Sequence, residues 1–307
     1  MKREAHLQAY APGLYPRSEA LVQATRDLDR GRTSAEAVDE QTERDLAQFL
    51  AAQADAGFDL VADGMLRWQD IFRPLVEGSE GLETGALTRF LDTNSFYRAP
   101  SATTDAPKLR APLDERYIAR LPGPRLVTLP SPFALAHGTE VSPKAMAEGI
   151  LKPQLDAIDA DLVVLEEPYL AREESPDLGA LEEALHVLAG GPKLALWLTF
   201  GNAQHVLKQG LAGLPVDAIG IDFYATSAED VPEGLGMLLL AGVLDARSSV
   251  LEEPREIAAF VETLHGRGVE EIALVPNGDL QYVSEQVARE KLGRLGKAKA
   301  ATTEAAA

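Results

Sequence analysis

Eight apolar runs punctuate this sequence, and five of them end in Asp or Glu: Asp63, Glu166-Glu167, Asp222, Asp245 and Asp279. One such carboxylate means little, because it can simply cap the helix that follows. Several converging on one mouth raise one another's pKa and call for a ligand, a cation or a shared proton. Glu166, Asp222, Asp63 and Asp279 are therefore the candidate acid–base residues. Glu166 and Asp222 are expected to meet, their repulsion relieved by an arginine, a cation or a proton held in common. The same strand ends carry Tyr15, Arg17, Arg67, Glu167, Thr199, Asn202, Arg247 and Asn277 as substrate-binding candidates. Arg17, Arg67 and Arg73 are suited to bidentate pairing with ligand carboxylates.

Other chemistries are excluded. The chain has no cysteine, hence no disulfide, thiol nucleophile or sulfur-bound zinc. Of its five histidines only His137 is expected near the mouth, and no HExxH spacing exists. Gly234-Leu-Gly236 and Gly210…Gly213 are turns rather than phosphate loops, and no Gly-x-Ser-x-Gly elbow occurs. Ser131, between two prolines, reads as a turn residue, and Trp68 and Trp197 as packing residues. With 48 acidic and 29 basic residues the net charge is −19, a field that repels nucleic acid and anionic membranes. The opening MKREAHLQAY has no apolar run behind its basic residues, and no stretch approaches a membrane span, so a cytoplasmic protein is expected.

The elements that must carry these residues follow from hydrophobic pattern. Runs at 125–133, 162–170, 193–201, 218–225, 238–246 and 271–279 are nearly all apolar until their last residues, as strands of a parallel sheet buried on both faces would be. Two more fit upstream, at 7–13 and 58–64. Amphipathic stretches alternate with them, at 34–57 with Ser34 as N-cap, at 142–159 with Ser142 as N-cap and Pro143 at N1, and at 254–268 behind Pro254. Eight strand–helix units predict an α/β fold, a (β/α)8 TIM barrel, as one domain over residues 1–296. Residues 71–124 hold ten prolines and glycines and read as an insertion over the barrel mouth, between strands two and three. Residues 297–307 read as a disordered tail.

Several stretches resemble cobalamin-independent methionine synthases. Arg89-Phe-Leu-Asp92-Thr-Asn94-Ser-Phe-Tyr97 is similar to the family's WFDTNYHY stretch, and Val163-Val-Leu-Glu166-Glu167-Pro168 to its QIDEP strand end. Gly13-Leu-Tyr15-Pro-Arg17, Leu214-Pro-Val-Asp217…Asp222, Ala241…Asp245-Ala-Arg247 and Pro276-Asn277-Gly-Asp279-Leu280 follow in matching order. The resemblance adds Asn94 and Tyr97 to the substrate-binding set. It implies one-carbon metabolism, with methyl transfer from a 5-methyltetrahydrofolate-type donor to homocysteine or a related thiol. The family's zinc-bearing barrel would place His-x-Cys near Trp197-Leu-Thr199, Glu near Asp222 and Cys near Gly278, and only an acidic residue survives. The acidic residue that would hold the homocysteine amine falls near Met65, and the opening serine at Leu14. The resemblance is thus to the family's zinc-free N-terminal barrel: zinc is not expected, and a separate catalytic methionine synthase barrel is the implied partner. A metal-independent lyase resembling uroporphyrinogen decarboxylase, or a non-catalytic scaffold, are the alternatives.

Overall fold

The structure, a computed structural model, describes residues 6–306; the opening MKREA and Ala307 lie outside the described residues. The chain begins with β1 (His6–Ala9), α1 (Glu19–Asp29) and α2 (Ala35–Asp55). The Ser18 and Ser34 hydroxyls cap the two helices, accepting from Leu21 N and Ala37 N. The 71–124 segment then forms α3 (Arg73–Glu77), β2 (Ser79–Glu80), an antiparallel hairpin of β3 (Leu82–Arg89) and β4 (Phe96–Ala102), and β5 (Lys108–Leu109), which pairs with β2. Strand and helix alternate from there. In order come β6 (Leu126–Pro130), α4 (Pro132–Ala136), α5 (Pro143–Met146), α6 (Lys152–Asp156), β7 (Leu162–Glu167), α7 (Leu178–Leu188) and β8 (Lys193–Leu198). The chain closes with α8 (Gln204–Lys208), β9 (Ala218–Asp222), β10 (Leu238–Leu244), α9 (Pro254–Gly266), β11 (Glu271–Pro276) and α10 (Glu285–Ala306).

All six strands expected from residue 125 onward are present and buried. They form, with β1, one curled parallel sheet in the order β1-β11-β10-β9-β8-β7-β6. The strand expected at 58–64 is reduced to a single bridge, Val61 to Arg125, but it closes the ring. On one side Asp59 N donates to Ala9 O at 3.1 Å, and on the other Val61 N donates to Pro124 O at 3.0 Å and Leu126 N to Val61 O at 2.9 Å. The Asp59 carboxylate, not a carbonyl, takes the Ala9 N–H at 2.7 Å. A side chain thus completes the ladder where backbone pairing stops. The barrel is closed by stitching rather than by a regular eighth strand.

The helix expected at 142–159 is interrupted by a π turn, Ala147–Leu151. Pro153 explains it: the ring lacks an N–H and would press on the carbonyl of Gly149, and the wider turn relieves this. Between β9 and β10 a single 3₁₀ turn, Ala228–Asp230, stands where the strand–helix alternation predicts a helix. The residues expected as a tail from 297 are helical as far as Ala306. The expectation fails because α10 is docked: Ala298 and Thr302 are buried, Gly296 lies against the Ala56 backbone, and Lys299 Nζ pairs with Asp59 at 2.7 Å. Among the described residues no helix is long and apolar enough to cross a membrane.

Candidate functional site

Alternate residues of a strand share one face. Glu166 at the end of β7 pairs in register with Trp197 of β8, and Trp197 with Gly220 of β9. Two residues further on, Thr199 and Asp222 point the same way. Together with Asn277, just past β11, they form the top inward layer of the barrel, all fully buried. Trp197 occupies its centre. A Cβ on Gly220 would stand 2.3 Å from the indole Cδ1, and one on Gly13 would stand 3.1 Å from Cζ3. Gly13 follows β1, which lies across the ring from β8, so the indole spans the barrel axis. Sequence reading assigns Trp197 to packing alone. The available signal was Gly220 inside an otherwise apolar strand, which marks a close approach by a bulky neighbour.

The carboxylates divide into three situations. Glu167 is fully satisfied: Oε1 accepts from Tyr169 N at 2.8 Å and Leu170 N at 2.9 Å, and Oε2 accepts from the Ser131 hydroxyl. Burial pushes it up to about 7, against the pull of those donors. Ser131 in turn caps α4 through Ala134 N at 2.9 Å, so the pair locks the β6 and β7 loops together. Asp222 accepts at Oδ1 from Asn277 Nδ2 at 3.1 Å and Tyr224 N at 2.9 Å, while its Oδ2 has no partner among the described residues. Its pKa too is raised by burial.

The third situation differs from expectation. Glu166 meets Asp279, not Asp222. Burial, then the charges of Asp279 and Glu167, hold Glu166 well above the usual carboxylate range, and burial lifts Asp279 to about 7. Asp279 Oδ1 accepts from Leu14 N at 2.7 Å and Oδ2 from Gln281 at 3.1 Å. Neither Glu166 oxygen has a donor among the described residues. Two carboxyls in this position bond to each other only when one keeps its proton. Trp197 Nε1 and Thr199 Oγ1 are also buried without partners, leaving a set of orphaned polar atoms in one layer.

An aromatic roof covers that layer. Tyr97 on the hairpin bonds Tyr169 hydroxyl to hydroxyl at 3.0 Å, Phe90 stacks on Tyr282 at 6.4 Å, and Phe200 meets Tyr282 edge-on at 5.4 Å. Asp92 at the hairpin turn reaches Arg172 at 3.4 Å and Arg247 at 3.2 Å. Asp92 and Arg172 are not among the site residues that sequence reading selects; the insertion expected over the mouth carries Asp92 there at its hairpin turn.

The remaining candidates scatter. Arg17 lies half-buried at the rim, where a cavity of about 180 Å³ is lined by Arg17, Asp70, Tyr97, Asp279, Gln281 and Tyr282. It makes no ion pair or hydrogen bond among the described residues, and burial lowers its pKa. Arg67 is instead clasped by Asp39 and by Glu43 at 3.0 Å, two α2 residues one helical turn apart, on the outside of the barrel. Arg73 turns to Asp70 at 3.7 Å. Tyr15 stacks on Phe49 of α2 at 4.1 Å and faces away from the axis. Asp63 braces two loops by accepting from Met65 N at 2.9 Å and Ala119 N at 3.0 Å. Asn94 is exposed on the hairpin turn beside Arg89, and Asn202 is exposed, accepting from Gln204 N at 2.8 Å. Arg247 sits 4.7 Å above the Phe200 ring. Among the described residues no three His, Asp or Glu side chains are grouped to hold one metal ion.

No protein-family profile matches this chain. It is 31% identical over 201 residues to a 5-methyltetrahydropteroyltriglutamate–homocysteine methyltransferase of Mycobacterium leprae (strain TN), covering 58% of this chain and 26% of that protein. The like-named protein of Mycobacterium bovis (strain BCG / Pasteur 1173P2) is 28% identical over 291 residues, 78% of this chain and 37% of its own length. The chain therefore spans between about a quarter and two fifths of the curated relatives it matches. A B12-independent methionine synthase from Shewanella sp. W3-18-1, solved with selenomethionine, superposes with a TM-score of 0.73 at 16% identity over 99% of this chain and 98% of that one. Fold and site define an α/β-barrel protein with a buried acidic layer at the mouth. Its sequence is similar to methyltransferases, and its fold to a solved structure, of the cobalamin-independent methionine synthase family.

Proposed function

We propose that this chain is a cytoplasmic, zinc-free barrel of that family. In this reading it serves one-carbon transfer by binding a 5-methyltetrahydrofolate-type donor beside a separate zinc-bearing barrel. The observation that carries the reading is Trp197. It stands where the resemblance expects a zinc ligand, and its ring spans the axis between Gly13 and Gly220. The other expected ligand positions hold Thr199, Asp222 and Gly278, which supply one hydroxyl and one carboxylate but no thiolate or imidazole. That donor set does not fit zinc. The relatives named as homocysteine methyltransferases support the methyl-transfer setting.

Arg17 supports the donor's placement. Its guanidinium makes no ion pair among the described residues and lines a rim cavity of about 180 Å³, where it offers a partner to one carboxylate of a glutamate tail despite Asp70 and Asp279 in the same wall. The orphaned Glu166, Asp222 and Thr199 oxygens match an N–H-rich group, such as a substrate amine.

Two measurements test this. Metal analysis after dialysis is expected to find far less than one zinc per chain. One equivalent, with unfolding on chelation, overturns the zinc-free reading. Titration with 5-methyltetrahydropteroyltriglutamate is expected to show binding that Arg17→Ala weakens about tenfold or more, the scale of one lost charge-assisted pair. Stability should change by no more than about 0.5 kcal/mol. No binding by the unaltered chain leaves a bracing role only and overturns the donor-binding part.

A further inference from the structure

The Asp92 contact has a geometry that its place in the hairpin alone does not require. Arg172 and Arg247 come from the loops after β7 and β10, on either side of the Phe200 turn after β8. Each is held by that turn independently of the hairpin: Arg172 Nη2 donates to Phe200 O at 2.5 Å, and the Arg247 guanidinium lies 4.7 Å over the Phe200 ring. Phe200 itself is a non-glycine residue at φ 53°, a conformation kept only where its surroundings impose it. The two guanidiniums are therefore prepositioned on the barrel, and both point at one carboxylate, with Arg247 Nη1 at 3.2 and 3.5 Å from its two oxygens. That carboxylate is the movable member. Asp92 has a side chain 65% exposed and is carried on a two-stranded hairpin turn. Ion pairs this exposed are readily exchanged for others.

We propose that Arg172 and Arg247 form a carboxylate-binding clamp which Asp92 fills from within, so that a carboxylate-bearing ligand displaces the hairpin tip and opens the roof. The orphaned atoms of Glu166, Thr199, Asp222 and Trp197 lie under that roof, behind Tyr97, Phe90 and Tyr282. Occupation of the clamp and access to the buried layer are then linked, and each favours the other. The inference does not depend on methyl transfer or on the identity of the donor.

The test uses glutarate as the probe on the full chain, with calorimetry for affinity and amide exchange for the hairpin (86–99) and the Phe200 turn (197–202). Glutarate is expected to bind and to speed exchange in both segments. Asp92→Asn removes the internal competitor, so glutarate should bind about threefold or more tighter, with exchange already raised in its absence. Asp92→Glu should restore both properties. The double variant Arg172→Gln/Arg247→Gln should loosen the hairpin equally but bind glutarate about tenfold or more weaker, as expected when two charge-assisted contacts go. Absence of glutarate binding, indifference of affinity to the double variant, or unchanged affinity and exchange in Asp92→Asn each overturns the proposal.

Discussion

Glu166→Gln is expected to raise stability at pH 8 by about 1–3 kcal/mol and to flatten the fall in stability between pH 5 and 8, on the linkage between proton binding and folding. Glu166 is raised well above 4.5, and Asp279 and Glu167 both lie at about 7, in every case chiefly through burial. In the unfolded chain these groups titrate near 4. Across the interval the folded protein binds protons that the unfolded chain has released. Stability is therefore greatest at and below the unfolded values and is lost as pH rises through the folded ones. For Asp279 the displacement from 3.8 to about 7 sets an upper bound of about 4 kcal/mol. The amide that replaces the Glu166 carboxyl keeps the volume, removes the like charge and offers Asp279 an N–H. Urea midpoints at pH 5, 6, 7 and 8 check this. A wild-type profile that does not fall, or a variant weaker at pH 8, would show that the two carboxyls do not share a proton.

Trp197→Ala is expected to cost about 3–5 kcal/mol, the usual scale for deleting a large buried aromatic. The side chain is fully buried, and it packs against Gly220 on the adjacent strand and Gly13 across the axis, which have no side chain to move into the space. No hydrogen bond is lost, because Nε1 has no partner among the described residues, so the cost is one of packing. Chemical denaturation measures it directly. A loss below about 1 kcal/mol would mean that the barrel top collapses easily, which close-packed interiors rarely do.

How much could be read in advance follows from physical pattern. Strands β6 to β11 were legible because a strand buried on both faces writes an unbroken apolar run. The run at 58–64 was legible as a strand position but not its reduction to a single bridge, because there the Asp59 side chain takes over part of the backbone pairing. The hairpin was hidden by its own bulge between Thr84 and Leu87 and by Pro100, which break the alternation. In α10 the buried stripe Ala288, Leu292, Leu295, Ala298 and Thr302 keeps helical spacing beyond Gly296, so composition misled where periodicity would have served. Candidate chemistry was legible as a set of residues and not as pairs. Which strand ends face one another depends on closure of the ring, and closure brought Asp279 rather than Asp222 to Glu166. Arg67 was misplaced for a similar reason: Asp39 and Glu43, four apart on α2, make a fork that claims it before any ligand.

The interlock at the axis also constrains the order in which this barrel could have diverged. A side chain at position 220 meets the indole at 2.3 Å, and one at position 13 meets the Asp279 carboxylate at 2.3 Å in a backbone already at φ +83°. Gly220 cannot be exchanged while tryptophan stands at 197, whereas Gly13 is held by Asp279 and by its own backbone conformation. Nor can a compact side chain return to 197 without leaving a void between two glycines that nothing fills. Positions 197 and 220 form one unit of change: any lineage moving between a tryptophan-plugged and an open mouth must cross a destabilised intermediate or carry a compensating substitution elsewhere.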